Sequence, residues 1–138
     1  MTTNSVTSDN LSVNSFTIDT TAPSLNQVTP VPTRDNDSTP NYTFYSNEAG
    51  NITYGGNCDS SDTSADADNN TIAFNALADA TYNDCTITVT DNLSNASSLS
   101  VNTFKIDTTD PIVAEVTAVT TPGNDTTPRY TYLSLIHI

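Results

Sequence analysis

The amino-acid sequence predicts an all-β chain folded as a two-sheet sandwich of about seven short strands. Three observations carry that reading. The apolar residues are disproportionately β-branched or aromatic and alternate with threonine and serine, the chemistry of a half-buried strand. Alanine and leucine are sparse, lysine and glutamate nearly absent, and no window keeps an apolar stripe of helical period over about three turns. Clusters of Asn, Asp, Ser, Gly and Pro punctuate the apolar runs at regular spacing.

The elements follow in order. After a linker at residues 19–23, the first strand is expected at 24–29. The next, at 41–46, puts Tyr42 and Phe44 on one face and Thr43 and Tyr45 on the other. Residues 51–55 offer Ile52 and Tyr54 inward, and residues 71–76 offer Ile72 and Phe74. Residues 81–90 offer Cys85, Ile87 and Val89, leaving Thr86, Thr88 and Thr90 to water. The last strand breaks phase, because Leu99 and Val101 share one parity while Phe104 and Ile106 share the other, so a β-bulge is expected between them. A further strand lies in the polar stretch 59–70, where no pattern places it, and residues 35–37 read as a turn.

Residues 11–44 align without a gap on residues 99–132 at a constant offset of 88, with 20 of 34 positions identical. The shared core reads LSVNSFTIDTTAP at 11–23 and LSVNTFKIDTTDP at 99–111, followed by DSTPNYTF at 37–44 and DTTPRYTY at 125–132. One repeat is therefore about 88 residues long. The chain divides into the tail of a preceding repeat (1–18), a complete copy (19–106) and the start of the next (107–132). Met1 falls where the complete copy has Val89, so the natural start is expected upstream. Residues 133–138, LSLIHI, abandon the repeat and match the codons of a transposase adapter used in sequencing libraries; they are read as a translated scar. The single histidine, His137, lies there and is given no chemical role.

Threonine, asparagine, serine and aspartate together make 72 of the 138 residues, and sixteen acidic residues stand against three basic ones (Arg34, Lys105, Arg129). A net charge of −13 repels polyanions, so no nucleic-acid partner is expected and anionic membrane surfaces are poor partners. No apolar run reaches the roughly 20 residues of a membrane span.

The residues 77–82, LADATY, with Cys85 after them, resemble the corner of immunoglobulin-like domains at which a tyrosine hydrogen-bonds back across the turn. Here the spacing from Tyr82 to Cys85 is three residues rather than the usual two, so a bulge at Asn83 or Asp84 is needed to point both inward. IDTTAP opening a repeat, the DSTPNY and DTTPRY strands, and CTITVTDNLSN before the return strand are similar to tandem bacterial immunoglobulin-like repeats of surface adhesins and biofilm-associated proteins. That family usually continues the TD turn with small residues and glycine, where this chain has Asp91-Asn92-Leu93-Ser94-Asn95. The resemblance implies an immunoglobulin-like sandwich, neighbouring repeats of the same chain as partners, and a secreted or cell-surface location.

An even cysteine count in a chain of exported character points to a Cys58–Cys85 disulfide, which should add roughly 3 to 4 kcal/mol. A zinc site would need two further soft ligands, and no CxxC spacing suggests a redox pair. Calcium takes six to eight oxygen ligands and is the one cofactor the acidic composition suggests. In an immunoglobulin-like topology Asp35, Asp37, Asp79, Asp107 and Asp110 converge on the joint between repeats, where an ion would cancel repulsion, as in some related arrays. The alternative is the loop of Asp66, Asp68 and Asn70, which opens like a calcium loop but lacks its glycine and its bidentate glutamate.

No histidine base, nucleophile elbow or phosphate-cradling loop is present, so no catalytic residue is assigned and the chain is read as not an enzyme. An isopeptide crosslink at Lys105 is disfavoured by its outward parity. The expected role is a stalk or spacer supporting adhesion. The alternatives are a binding module for glycans or proteins, or an accessory module of a secreted enzyme.

Overall fold

The structure, a computed structural model, describes residues 9–119, 121 and 123–135; Met1 and His137 lie outside the described residues. The strands are β1 (Leu25–Thr29), β2 (Arg34–Asp35), β3 (Asn41–Ser46), β4 (Gly50–Gly55), β5 (Ser64–Ala65), β6 (Asn69–Ala73), β7 (Ala80–Tyr82), β8 (Thr86–Thr90), β9 (Ala96–Ser100), β10 (Phe104–Ile106), β11 (Ile112–Thr117) and β12 (Thr131–Leu135). The described chain is all-β, and no helix in it is long and apolar enough to cross a membrane.

One layer is the antiparallel sheet β1-β3-β6. Its central strand alternates as expected: Tyr42 and Phe44 are fully buried, while Thr43 and Tyr45 face outward. The other layer is made of two sheets, β2-β10-β7 and β5-β4-β8-β9, which meet where two runs of chain break. The run expected at 81–90 divides into β7 and β8, and residues 83–85 between them let Tyr82 and Cys85 both point inward. The final run divides likewise into β9 and β10, with Val101, Phe104 and Ile106 all buried despite their opposite parities. Ile52, Ile72, Phe74, Ile87 and Val89 complete a single core shared by both layers.

The break at 101–103 has a specific support. Asn102 accepts from the Val31 N–H through Oδ1 at 3.1 Å and donates to the Val31 carbonyl through Nδ2 at 2.8 Å. Val31 is flanked by Pro30 and Pro32, which bring no N–H to a ladder, so the first strand leaves β3 there and restarts as β2 in the other layer. β2 then runs parallel to β10, pairing Arg34 with Lys105 and Asp35 with Ile106. Asp35 is thus a strand residue rather than part of the turn expected at 35–37.

The strand sought in 59–70 is the two-residue β5, paired with β4. Between β4 and β8 the ladder ends at Gly55 and Thr86, and the Cys58–Cys85 disulfide closes just beyond it, with Cα atoms 5.3 Å apart. Gly56 makes the intervening turn at φ +75°, where an added Cβ would meet the Asp84 carbonyl. Tyr82 donates its hydroxyl to the Ala78 carbonyl at 3.0 Å, closing the corner four residues upstream.

β11 and β12 pair only with each other. Their register is that of β1 and β3 advanced by 88: Leu25 pairs Ser46 as Val113 pairs Ser134, and the irregularity between Gln27 and Thr29 recurs between Glu115 and Thr117. The strand runs through Leu133–Leu135, so these residues, read in sequence as foreign, take part in a ladder.

Two outcomes follow from this packing. The double variant Cys58→Ser/Cys85→Ser should lose about 3 kcal/mol in denaturant melts, because the crosslink closes a loop of 27 residues. In hydrogen exchange, the amides of β11 and β12, whose side chains are all exposed, should exchange far faster than those of β8; equal protection would contradict the description of a hairpin without a core.

Candidate functional site

At the end of the sandwich where residues 19–24 lead into β1, three acidic side chains meet. β8 ends at Thr90, and the chain turns through residues 91–95 to β9. Asp91 is only 6% exposed, yet its carboxylate is satisfied: Oδ1 accepts the N–H groups of Leu93 and Asn95, each at 2.8 Å, and Oδ2 accepts Asn95 Nδ2 at 2.8 Å. Ser94 takes the left-handed conformation, φ 72°, within this turn. Asn95 Nδ2 also donates to the Asp19 carbonyl at 3.1 Å, tying the linker to the turn.

Glu48 arrives from the connection between β3 and β4. The buried Ser46 hydroxyl donates to the Glu48 carbonyl at 2.6 Å and fixes that tight turn, and Asn47 Oδ1 accepts the Ser24 N–H at 2.6 Å. Carboxylate oxygens of Asp19, Glu48 and Asp91 lie within 4.8 Å of one another. Beside them is a shallow open hollow whose lining includes Gly50, Ala67 and Thr90. Gly50 is required there because an added Cβ would fall 2.5 Å from the Thr90 carbonyl oxygen.

Such a trio offers hard oxygen donors of the kind that calcium takes. The Asn95 side-chain amide, followed by the backbone N–H groups of Asn95, Leu93 and Ser94, outweighs burial and holds the Asp91 carboxyl below the usual aspartate range. Asp91 is therefore the fixed anion of the group.

The residues singled out in sequence are placed differently. Asp79 is at the other end of the sandwich, where Oδ1 accepts Thr108 N–H and hydroxyl at 2.9 and 2.8 Å and Oδ2 accepts the Thr109 hydroxyl at 2.7 Å. These bonds, Thr109 foremost, hold its carboxyl below the usual range. Asp107 Oδ2 pairs with Lys105 Nζ at 3.2 Å, and the Asp107 N–H donates to the Asp35 carbonyl at 2.9 Å. Asp35 Oδ1 accepts the Asp37 N–H and Asp37 Oδ1 accepts Thr39 N–H and hydroxyl, while Asp110 is exposed. The five share one end of the body, but among the described residues the acids gathered closely enough for a common ion are Asp19, Glu48 and Asp91. The loop of Asp66, Asp68 and Asn70 closes on itself: Asn70 Nδ2 donates to the carbonyls of Asp66 and Asp68, and its Oδ1 accepts the Asp66 N–H. Cys58 and Cys85 are joined as expected.

Sequence reasoning passed over the trio because its members are far apart in the chain. The signal available was the IDTT segment, which puts Asp19 in the linker, and Glu48, one of only two glutamates. No family model, curated protein or solved structure matches this chain.

The depressed Asp91 and Asp79 carboxyls fix the sign of the acid response. Their contribution is complete above the usual aspartate pKa and is lost as pH falls through the lower folded-state values. In thermal melts from pH 7 to pH 2, Asp91→Asn should start from a lower midpoint at neutral pH and show a shallower acid decline than the parent chain; parallel curves would show that Asp91 is not held as an anion.

Proposed function

We propose that this chain is a non-catalytic structural repeat, an immunoglobulin-like stalk or spacer of a secreted or surface-anchored bacterial protein, supporting adhesion by holding other parts of that protein away from the cell. The observation that carries the reading is recurrence at 88 residues, in sequence and in the paired register of β1–β3 and β11–β12 with the same irregularity. Adding strand pairs of one design along a chain is how repeat arrays gain length.

The two copies of the linker meet the body at opposite ends, which favours head-to-tail stacking. Asp19 is bonded at the end where β8 finishes, whereas Thr108 and Thr109 are bonded to Asp79, just before β7 begins. The disulfide is compatible with an oxidising, extracellular compartment. Calcium belongs to the same reading: an ion shared by Asp19, Glu48 and Asp91 would join linker to body and stiffen the joint.

The test is dimensional. Tandem chains of the 88-residue unit should lengthen in small-angle scattering by about 35 to 45 Å per added unit, the reach of a strand run plus its linker. Millimolar calcium should narrow the distribution of lengths in the parent sequence and leave a Glu48→Gln array unchanged. Saturable binding of the isolated unit on a glycan array, without regular lengthening, would favour a binding module instead.

A further inference from the structure

The triplet Asn-X-Ser/Thr, with X other than proline, is the acceptor sequence for sugars joined to an asparagine amide. It occurs at Asn36 and at seven other asparagines. In a chain of 17 asparagines with abundant threonine and serine, composition alone produces such triplets, so the motif by itself selects nothing. Recurrence does select. At the offset of 88 residues Asn36-Asp37-Ser38 returns as Asn124-Asp125-Thr126, serine giving way to threonine with the hydroxyl kept. The other triplets with a counterpart in the chain lose it: Asn10 matches Ser98, Asn41 matches Arg129, Asn95 matches Thr7, and Asn92-Leu93-Ser94 matches Asn4-Ser5-Val6.

Geometry selects the same residue. Asn36 is exposed, in the loop that follows β2. Asp35 Oδ1 accepts the Asp37 N–H at 3.0 Å and Asp37 Oδ1 accepts the Thr39 N–H at 2.8 Å, two successive aspartate turns that set Asn36 at the bend. The second turn recurs between Asp125 and Thr127, at 2.9 Å. The Ser38 carbonyl accepts the Leu77 N–H at 2.8 Å, which anchors the loop to the body behind it. Other triplets are held in place: Asn41, Asn51 and Asn69 sit in ladders, and the Thr43 and Thr71 hydroxyls that complete two of them are bonded to each other at 2.8 Å. Asn95 Nδ2 is taken by the Asp19 carbonyl and by Asp91 Oδ2.

We propose that Asn36 is a modification site, the acceptor of an N-linked sugar. The donor is a hexose carried on a nucleoside diphosphate, and the partner is an asparagine-directed glycosyltransferase that reads the hydroxyl of the third residue, here Ser38. Asn36 Nδ2 attacks the anomeric carbon, and a carbon–nitrogen bond forms as the bond from that carbon to the diphosphate oxygen breaks. The diphosphate leaves with the electron pair, Nδ2 gives one proton to the transferase's base, and nothing is oxidised or reduced. The Asp35 carbonyl beside Asn36 accepts the Asp107 N–H at 2.9 Å, so the neutral, hydrated sugar stands next to the exposed segment 108–110. The modification needs access to one loop and is independent of how units stack.

The experiment incubates the folded chain, and separately the reduced and unfolded chain, with a soluble asparagine glucosyltransferase and UDP-glucose, and reads each site by peptide mass spectrometry. In the folded chain Asn36 should gain one hexose at least about tenfold faster than Asn51 or Asn69, whose ladders must open first, and unfolding should remove the difference. Asn36→Gln and Ser38→Ala should each abolish the adduct at this loop and leave Asn124 modified as an internal control, whereas Ser38→Thr should retain both. A folded chain that stays bare at Asn36, or is modified there no faster than at Asn51 and Asn69, would overturn the assignment. Either result leaves the scattering test of a stalk untouched.

Discussion

Four aromatic rings cross the body from one layer to the other. Tyr42 lies against Phe74 with centroids 6.4 Å apart, Phe74 against Phe104 at 6.2 Å, and Phe104 against Tyr82 at 5.2 Å. In a chain without tryptophan, and with threonine and serine on so many outward positions, this column carries the aromatic share of the apolar contact between the layers. Phe104 is its pivot. It faces inward only because the last run of chain changes phase after Val101, and that change is held by the Asn102 amide on the Val31 backbone. The same contact fixes where the first strand changes layers, which sets the parallel pairing of β2 with β10. Core packing, strand crossover and sheet topology are thus consequences of one break in alternation.

Charge is distributed with similar economy. Carboxylates of Asp35, Asp37, Asp79 and Asp91 accept backbone or hydroxyl protons rather than pairing with cations, in a chain with only three basic residues. Among the described residues the ion pair is Lys105 with Asp107. The segment Asp-Thr-Thr occurs at both ends of the body with its chemistry divided. At 19–21 the aspartate carboxylate faces Glu48 and Asp91, and at 107–109 the two threonines bind Asp79. One short sequence therefore makes two different sets of contacts at the two ends of the body.

The all-β class, most strand positions, the inward residues of β3, β4 and β8, the change of phase in the last run and the disulfide were legible in the sequence, because each rests on local alternation or on the pairing of two unique residues. Tertiary structure decided what depends on distant neighbours. Arg34–Asp35 carries no strand pattern and becomes β2 only through β10, and Ser64–Ala65 becomes β5 only through β4. The acidic trio belongs to the same class: Asp19, Glu48 and Asp91 are brought together by the tight Ser46–Glu48 turn, by Asn95 and by a left-handed Ser94. Composition could say that carboxylates would crowd somewhere, since like charges in excess cannot all be paired, but which ones meet is set by three-dimensional closure of turns, a property that side-chain periodicity does not encode.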